Sequence, residues 1–272
     1  MGDLRTRGRG LPSGSGGLRG PTHPVPFDLA NGSYRMDPQE VAVHVPDGFI
    51  DAPVSVAAGV VAAAAIGVAL RGSRRELGDE RVAPLAGLVS AFVFAVQLLN
   101  FPVAAGTSGH LLGGALAAVL VGPWTGVLCV SVVLLVQLFF ADGGLTAYGV
   151  NVTCMAVTTA LVGWLVFRLL LRVLPRVPGS VVPASFGAAL VSVPAAALVF
   201  TGIYALGGTT DVPLGSFAAA MIGVHVLIGI GEAMITALVV SSVLAVRPDL
   251  VHGARDLVAA RRARAVALEV AR

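Results

Sequence analysis

The sequence contains no lysine and little charge of either sign, since Asp, Glu, Lys and Arg together make up only 12% of its 272 residues. Soluble domains usually carry about 25% charged residues, whereas 56% of this chain is hydrophobic. This balance excludes an ordinary water-soluble domain and predicts a polytopic membrane protein. The formal net charge of +3 comes from arginine alone, and membrane proteins concentrate such charges in cytoplasmic loops. It therefore does not indicate nucleic-acid binding.

Several chemical motifs are also missing. The two cysteines, Cys129 and Cys154, lie in apolar runs without a CxxC or CxxH spacing, so they indicate buried thiols rather than a zinc site or a redox pair. No GxxxxGK[ST] sequence is present, so the chain has no P-loop with which to bind ATP. The absence of HExxH argues against an intramembrane metallohydrolase. The sequence therefore favours a binding or transport subunit over an enzyme.

Apolar runs dominate the chain from Ala52 onward and predict an all-α membrane helix bundle of about seven transmembrane helices, since a span needs about 17–25 residues. The predicted spans are 53–70, 84–101, 109–121, 123–140, 150–172, 181–206 and 217–246. The run 109–121 is short and is flanked by glycines, so it predicts either a short, steeply set helix or a re-entrant one. The last run is over-long and must tilt, kink or leave the bilayer.

From Ala52 onward, arginines fall between the first and second predicted spans, around the loop between the fifth and sixth, and after the last. They are Arg71, Arg74, Arg75, Arg81, Arg168, Arg172, Arg176, Arg247, Arg255, Arg261, Arg262, Arg264 and Arg272. With seven spans these regions share one side, which the positive-inside rule assigns to the cytoplasm. We therefore expect a multi-pass protein of the bacterial cell membrane, with the region before the first span outside, a transmembrane domain over 43–246 and a cytoplasmic arginine-rich tail over 247–272.

Three stretches carry a family resemblance: HVPDGF at residues 44–49, SGHLLGG at 108–114 and GVHVLIGIGE at 223–232. Together, and in this order, they resemble the CbiM/NikM family, the substrate-capturing membrane subunits of energy-coupling-factor (ECF) transporters for cobalt and nickel. The resemblance extends from about Val43 to the end of the last span. It implies that Co²⁺ or Ni²⁺ is bound as transported substrate rather than as a cofactor, and that cobalt would supply cobalamin biosynthesis.

Members of this family typically begin Met-His, and the resemblance implies a metal site built on that start. A histidine at position two offers the α-amine, an amide nitrogen and an imidazole nitrogen, and the family's second histidine corresponds to His110. Nitrogen ligation of this kind favours Ni(II) or Cu(II), and Co(II) accepts related fields. The predicted metal ligands are therefore His44, His110 and Val43, the last as the true N-terminal residue. Alone, His44 would more often be a solvated loop residue, and His110 would more often be an interfacial histidine.

Residues 1–42 depart from the family pattern. They are rich in Gly, Pro, Ser and Arg and lack the apolar core of a signal peptide, so they predict a disordered extension. An all-arginine chain rich in Ala, Val and Gly indicates a GC-rich genome, in which GTG often initiates translation. We therefore expect translation to start at Val43, read as Met, while starts at Met1 and Met36 remain open.

Four further polar residues are predicted to support the metal ligands. His225 and Glu232 lie inside the last span, where ionisable groups usually face the protein interior; a hydrogen-bonding pair that locks the bundle is the equal alternative. Asn100 and Asn151 flank loops on the outer side and could hold the N-terminal segment.

The resemblance also implies partners: a membrane scaffold subunit, two cytoplasmic ATPase subunits and a small accessory membrane subunit. The alternatives to a binding subunit are an intramembrane metallo-enzyme and a self-contained ion-driven carrier, although no inverted repeat supports the latter. Neighbouring genes for ATPase and scaffold subunits would distinguish the first reading from the other two.

Overall fold

The computed structural model describes residues 27–28, 33–34, 44–78, 82–98, 100–102, 108–140 and 142–271. Residues 1–35 form one unit, in which strand β1 (Phe27–Asp28) pairs antiparallel with β2 (Ser33–Tyr34). Residues 36–272 form the second unit. Apart from the two strands, the predicted disordered extension lies outside the described residues, as does Val43.

The second unit is built mainly from helices, and each of the predicted apolar runs contains helical residues. The helices are α1 (Ala52–Glu76), α2 (Val82–Gln97), α3 (Gly114–Val121), α4 (Pro123–Leu138), α5 (Tyr148–Asn151), α6 (Thr159–Val173), α7 (Val181–Gly207), α8 (Leu214–Val246) and α9 (Arg255–Val270). A π-helical segment, Val152–Thr158, joins α5 to α6, and single 3₁₀ turns occupy Pro178–Ser180, Pro248–Leu250 and His252–Ala254.

Among the described residues, four helical segments are long and apolar enough to cross a bilayer: Ala52–Glu76, Tyr148–Val173, Pro178–Gly207 and Leu214–Val246. The apolar helices α2 and α4 are shorter, at 16 residues each. Large aliphatic side chains such as Val60, Leu165 and Leu238 are exposed on the outside of the bundle, as expected where the surrounding solvent is lipid. The chain is therefore an integral membrane protein.

The prediction of a helical run over 109–121 is wrong at its start. Residues Ser108–His110 form strand β4, which pairs antiparallel with β3 (Asn100–Pro102), so that Asn100 lies opposite His110. Gly113 then adopts a left-handed conformation at φ 76° and helix α3 begins only after it. The eight residues of α3 rise about 12 Å, too little to cross a bilayer. All eight are buried, so α3 lies inside the bundle.

The predicted span 84–101 also ends early, because α2 stops at Gln97 and the chain enters β3. At the other end of the chain, the predicted tail 247–272 contains helix α9.

Helix α1 runs about 37 Å between two ends of the bundle. At its N-terminus, Asp51 caps the helix by accepting a hydrogen bond from Val54 N at 2.9 Å. At its C-terminus, the Glu76 carboxylate accepts from the backbone nitrogens of Trp124 and Thr125 at the start of α4, where the helix dipole favours negative charge. The end with residues 44–51 is called the histidine end below, and the end with Glu76 and α9 the arginine end.

Candidate metal centre

The first part of the site is the segment that precedes α1, residues 44–51, called the histidine segment below. A tight turn shapes it, because Phe49 N donates to the Pro46 carbonyl oxygen at 3.4 Å and Gly48 adopts φ 78°. A side chain is strained at such a φ, which explains a glycine after Asp47. The turn directs the chain from His44 back into α1.

The loop between α4 and α5 holds one side of the histidine segment. The Asp47 carboxylate accepts hydrogen bonds from Thr146 N at 2.7 Å and from Thr146 Oγ1 at 2.5 Å. Gly144 N donates to the Val45 carbonyl oxygen at 2.9 Å. Asn151 pairs with the same residue: its Oδ1 accepts from Val45 N at 3.2 Å and its Nδ2 donates to Val45 O at 3.4 Å. The backbone next to His44 is thus fixed by main-chain and side-chain atoms of Gly144 and Asn151, which lie far away in the sequence.

The connection between α7 and α8 holds the other side. Thr209 N donates to Phe49 O at 3.2 Å, and Asp51 N donates to Gly207 O at 2.7 Å. The Phe49 ring is buried, and its centroid lies about 6 Å from three aromatic rings of α7 and α8. These rings belong to Phe200, Tyr204 and Phe217. An aromatic anchor of this size gives the histidine segment one defined position.

The two predicted histidine ligands meet at the histidine end. The ring centroids of His44 and His110 are 4.7 Å apart with an interplanar angle of 47°, and each residue is only 4% exposed. His44 Nδ1 lies 3.0 Å from Asp142 Oδ1, so the carboxylate accepts the Nδ1–H and fixes the tautomer. The Nε2 atom of His44 is buried and has no hydrogen-bond partner among the described residues. A buried lone pair of this kind is available to a metal ion.

His110 is held in the form that can bind a metal. Burial, and then the neighbouring His44, lower the pKa of His110 to about 3, although its backbone hydrogen bond and Asp142 act in the opposite direction. Its Nδ1 lies 2.9 Å from the Leu111 carbonyl oxygen, which can accept only from a protonated Nδ1. The Nε2 atom then carries the free lone pair, and neutral imidazole is the ligand form.

A buried carboxylate of α8 fixes the loop that follows His110. Glu232 is 3% exposed, and its oxygens accept from Leu112 N at 2.6 Å and from Gly113 N at 3.0 Å. Gln97 of α2 donates its Nε2 to the Leu112 carbonyl oxygen at 2.9 Å. These hydrogen bonds tie the loop to α8 and to α2, so both helices determine where His110 lies.

The other predicted supporting residues differ in position. Asn151 contacts the histidine segment through Val45, as described above. The Nδ1 atom of His225 lies 2.7 Å from the Met221 carbonyl oxygen of its own helix, so His225 makes no described hydrogen bond to the histidine segment. The backbone of Asn100 pairs with His110 in the β3–β4 ladder, but its side chain lies outside the described residues.

Sequence reasoning missed Asp142 as a site residue. Its only signal was that it is the sole charged residue between the fourth and fifth predicted spans, in the stretch 141–149. A single aspartate in a loop belongs to no periodic pattern or motif that would connect it with a histidine 98 positions earlier.

The side chains of the described residues supply two imidazole donors but not a complete metal site. Among those residues no group of three or more His, Cys, Asp and Glu side chains could hold a metal ion. Any further donors would have to be main-chain atoms or residues outside the described ranges. The donor set of two imidazoles suits a borderline transition metal better than Mg²⁺ or Ca²⁺, which prefer oxygen ligands.

The Asp142–His44 hydrogen bond leads to the first prediction. Replacing Asp142 by Asn is expected to weaken metal binding about 10–100-fold, as is common when a carboxylate that orients a histidine ligand is lost. The measurement is calorimetric titration of the purified protein with Ni²⁺. Asp211→Asn is the matched control, because Asp211 lies exposed in the α7–α8 connection of the same end. Equal affinities for the two variants would contradict the orienting role of Asp142.

Comparison with known families supports a transport protein. The family model described as "Cobalt uptake substrate-specific transmembrane region", CbiM, matches residues 44–250. A putative metal transport protein of Haloquadratum walsbyi is 40% identical over 77% of this chain and 93% of its own length. A putative fused nickel transport protein NikMN of Archaeoglobus fulgidus is 38% identical over 77% of this chain and 68% of its own length. The cobalt transport protein CbiM of Sorangium cellulosum is 36% identical over 65% and 80%.

Two solved structures of transition metal transporters are similar to this chain in fold. The crystal structure of a transition metal transporter superposes with a TM-score of 0.68 at 30% identity, covering 75% of this chain and 93% of that one. A truncated transition metal transporter superposes with a TM-score of 0.67, covering 74% of this chain and 98% of that one.

Proposed function

The chain belongs to the CbiM family of cobalt and nickel transport membrane proteins, and we propose that it is the substrate-binding membrane subunit of an ECF-type importer. In this proposal it captures one Co²⁺ or Ni²⁺ ion at the outer face of the membrane and hands it to partner subunits for import. Imported cobalt would then supply cobalamin biosynthesis.

The observation that carries the proposal is the pair of buried imidazoles at the histidine end. His44 and His110 stand 4.7 Å apart between ring centroids, and each has its Nδ1 occupied by a fixed partner. Burying a polar atom without a hydrogen bond is costly, so the unpartnered Nε2 of His44 is best explained if this imidazole ring takes part in binding the transported ion.

The proposal assigns the remaining ligands to the N-terminus. If translation begins at Val43, read as Met, the free α-amine and the amide nitrogen that joins it to His44 can chelate one ion together with His44 Nδ1, and the ion then replaces the Nδ1 proton that faces Asp142. The Nε2 atom cannot take part in this chelate, because it lies on the far side of the ring from the residue's own backbone nitrogen. With His110 they complete a set of four nitrogens. Such a set suits Ni(II) and related ions. A longer N-terminal extension would convert the amine into an ordinary peptide nitrogen and remove it as a ligand.

The proposed orientation places the histidine end outside and the arginine end in the cytoplasm. Arg71, Arg74 and Arg75 lie in the last turns of α1, on the opposite end from His44, which agrees with the positive-inside rule. The proposed partners are a membrane scaffold, two cytoplasmic ATPases and a small accessory membrane subunit. A relative named as a fused NikMN protein supports such an assembly, because this chain matches only part of its length.

A metallo-enzyme or an ion-driven carrier is less well supported. The sequence has no HExxH motif, which would supply metal ligands and a general base together. The ion-driven carrier would transport metal when expressed without any other subunit, whereas the proposed binding subunit needs ATPases for sustained uptake. Uptake of radioactive cobalt by vesicles that contain the chain with and without its partners distinguishes these classes.

The second prediction tests the N-terminal ligands. A chain that begins with Met in place of Val43 is expected to bind Ni²⁺ or Co²⁺ in a 1:1 ratio, with an affinity more than about 100-fold above that of a chain beginning at Met1 and retaining residues 2–42. The reason is that losing direct ligands costs more than the 10–100-fold typical of outer-shell changes. The measurement is metal content by mass spectrometry together with calorimetric titration.

Two controls complete this test. Acetylating the α-amine of the chain that begins at Val43, read as Met, removes that ligand without moving the imidazole, since the chain has no lysine, and should weaken binding as strongly as the full extension does. Equal affinity in all three proteins would contradict the proposal that the amine and the amide nitrogen are ligands. Peptide mapping of the native protein would show whether residues 1–42 are present.

A further inference from the structure

A basic groove lies at the arginine end, away from the candidate metal centre. It has a volume of about 740 Å³ and is bounded by the last turns of α6, the connection between α6 and α7, and one face of α9. Five arginines and one aspartate supply its charged groups: Arg168, Arg172, Arg176, Arg261, Arg264 and Asp256. This set of residues is called the arginine groove below.

The positive charge in the arginine groove is poorly compensated. Arg168 Nη1 lies 3.8 Å from Asp256 Oδ2, and both side chains are largely exposed, at 52% and 91%. Such an exposed contact contributes little. Within the described part of the chain the other four arginines form no ion pair. Like charges gathered in one concavity repel each other, so the groove is suited to an anionic ligand.

The position of the arginine groove indicates which anion it faces. Arg168 and Arg172 lie one turn apart near the end of the candidate span Tyr148–Val173. The Arg168 guanidinium lies 5.8 Å from the Trp164 ring centroid, and aromatic and basic residues concentrate where a span leaves the hydrocarbon. An anion bound there would lie at the depth of lipid phosphates.

The lining of the groove fits an amphipathic ligand. Between the guanidinium groups, Leu171, Val177 and Leu257 supply apolar surface. A phospholipid presents a phosphate on a glycerol and acyl chains, and so matches a basic rim beside an apolar floor. Arginine forms bidentate hydrogen bonds with phosphate oxygens, and basic pockets between helices at the cytoplasmic side bind anionic headgroups.

The family resemblance does not account for the groove. The family model ends at residue 250, whereas the face of α9 that closes the groove begins at Arg255. We infer that the arginine groove binds the headgroup of an anionic phospholipid, and that α9 completes this site.

The test uses the full chain purified in mild detergent and native mass spectrometry with added phosphatidylglycerol or phosphatidylcholine. The groove variant Arg168→Gln/Arg172→Gln/Arg264→Gln is compared with the matched variant Arg71→Gln/Arg74→Gln/Arg75→Gln, which removes three exposed arginines from α1 at the same end. All six side chains are exposed, so both proteins should fold, and their melting temperatures check this.

The expected result is preferential retention of phosphatidylglycerol by the wild type and an affinity loss of about 100-fold in the groove variant, at roughly fivefold for each arginine removed. The α1 variant should keep its affinity within about threefold. Unchanged lipid affinity in the groove variant would overturn the proposal, and so would an equal loss in both variants.

Two further measurements distinguish a bound phospholipid from free phosphate and from a protein partner. If millimolar inorganic phosphate displaces phosphatidylglycerol from the wild type, the site recognises free phosphate and the lipid assignment is wrong. If the groove variant binds lipid normally but no longer copurifies with cytoplasmic ATPase subunits, the groove is a protein-docking surface and the lipid assignment is again wrong.

Discussion

Replacing either His44 or His110 by Gln is expected to lower the affinity for Ni²⁺ and Co²⁺ by more than about 100-fold, while the protein remains inserted and folded. Each change removes one ligand nitrogen from a site whose two imidazoles are only 4% exposed. This loss should exceed the 10–100-fold that follows removal of an orienting group. More than 100-fold corresponds to over about 2.7 kcal/mol of binding free energy. Calorimetric titration of each purified variant is the measurement.

His252→Gln is the matched control for these variants. His252 is a half-buried histidine at the arginine end, with its ring 5.4 Å from that of Trp164. Burial lowers its pKa, and it lies at the end of the bundle opposite to the candidate metal centre. The control should bind metal like the wild type. Near-normal binding by His44→Gln and His110→Gln would show that these imidazoles are not the ligands.

The second large effect is expected at Glu232. Its carboxylate accepts hydrogen bonds from Leu112 N and Gly113 N, directly after His110. In Glu232→Gln one acceptor becomes an NH₂ group that faces a backbone N–H, so a buried donor is left without a partner. We expect the free energy of unfolding to fall by about 1–3 kcal/mol and the metal affinity to fall about 10–100-fold, because the loop that carries His110 loses its support.

Thr236→Val is the matched control for Glu232→Gln. Thr236 lies one turn further along α8, is 1% exposed, and has a hydroxyl without a hydrogen-bond partner among the described residues. Removing that hydroxyl should change neither stability nor binding appreciably. His225→Ala is expected to have a smaller effect than Glu232→Gln, because His225 Nδ1 bonds within its own helix. A loss in Glu232→Gln equal to that in His110→Gln would mean that the carboxylate is itself a ligand.

The helical content and the central pair of histidines could be predicted from the sequence because both depend on local patterns. Long apolar runs indicate membrane helices, and the HVPDGF and SGHLLGG stretches carry the family resemblance. The run 109–121 shows where this approach failed. Leu111 and Leu112 extend the apolar pattern into residues that are not helical. The left-handed Gly113 and the pairing of β4 with β3 determine that the helix begins only at Gly114.

The contacts that build the site could not be predicted in the same way. Asp142 approaches His44 because the α4–α5 loop folds over the histidine segment, where Gly144 N and Thr146 bind residues 45 and 47. Gly144 allows this close approach, since a Cβ there would lie 2.3 Å from Asp47 N. Such loop-to-loop contacts follow from the packing of several helices and leave no periodic signal in the sequence.

X-ray absorption spectroscopy at the nickel edge of the Ni²⁺-loaded protein tests the central claim most directly, because the scattering from imidazole rings gives the number of histidine ligands. The claim that His44 and His110 hold the transported ion predicts a first shell of nitrogen atoms with two imidazoles, and one imidazole in either His44→Gln or His110→Gln. A first shell with sulfur, or two imidazoles that persist in both variants, would contradict it.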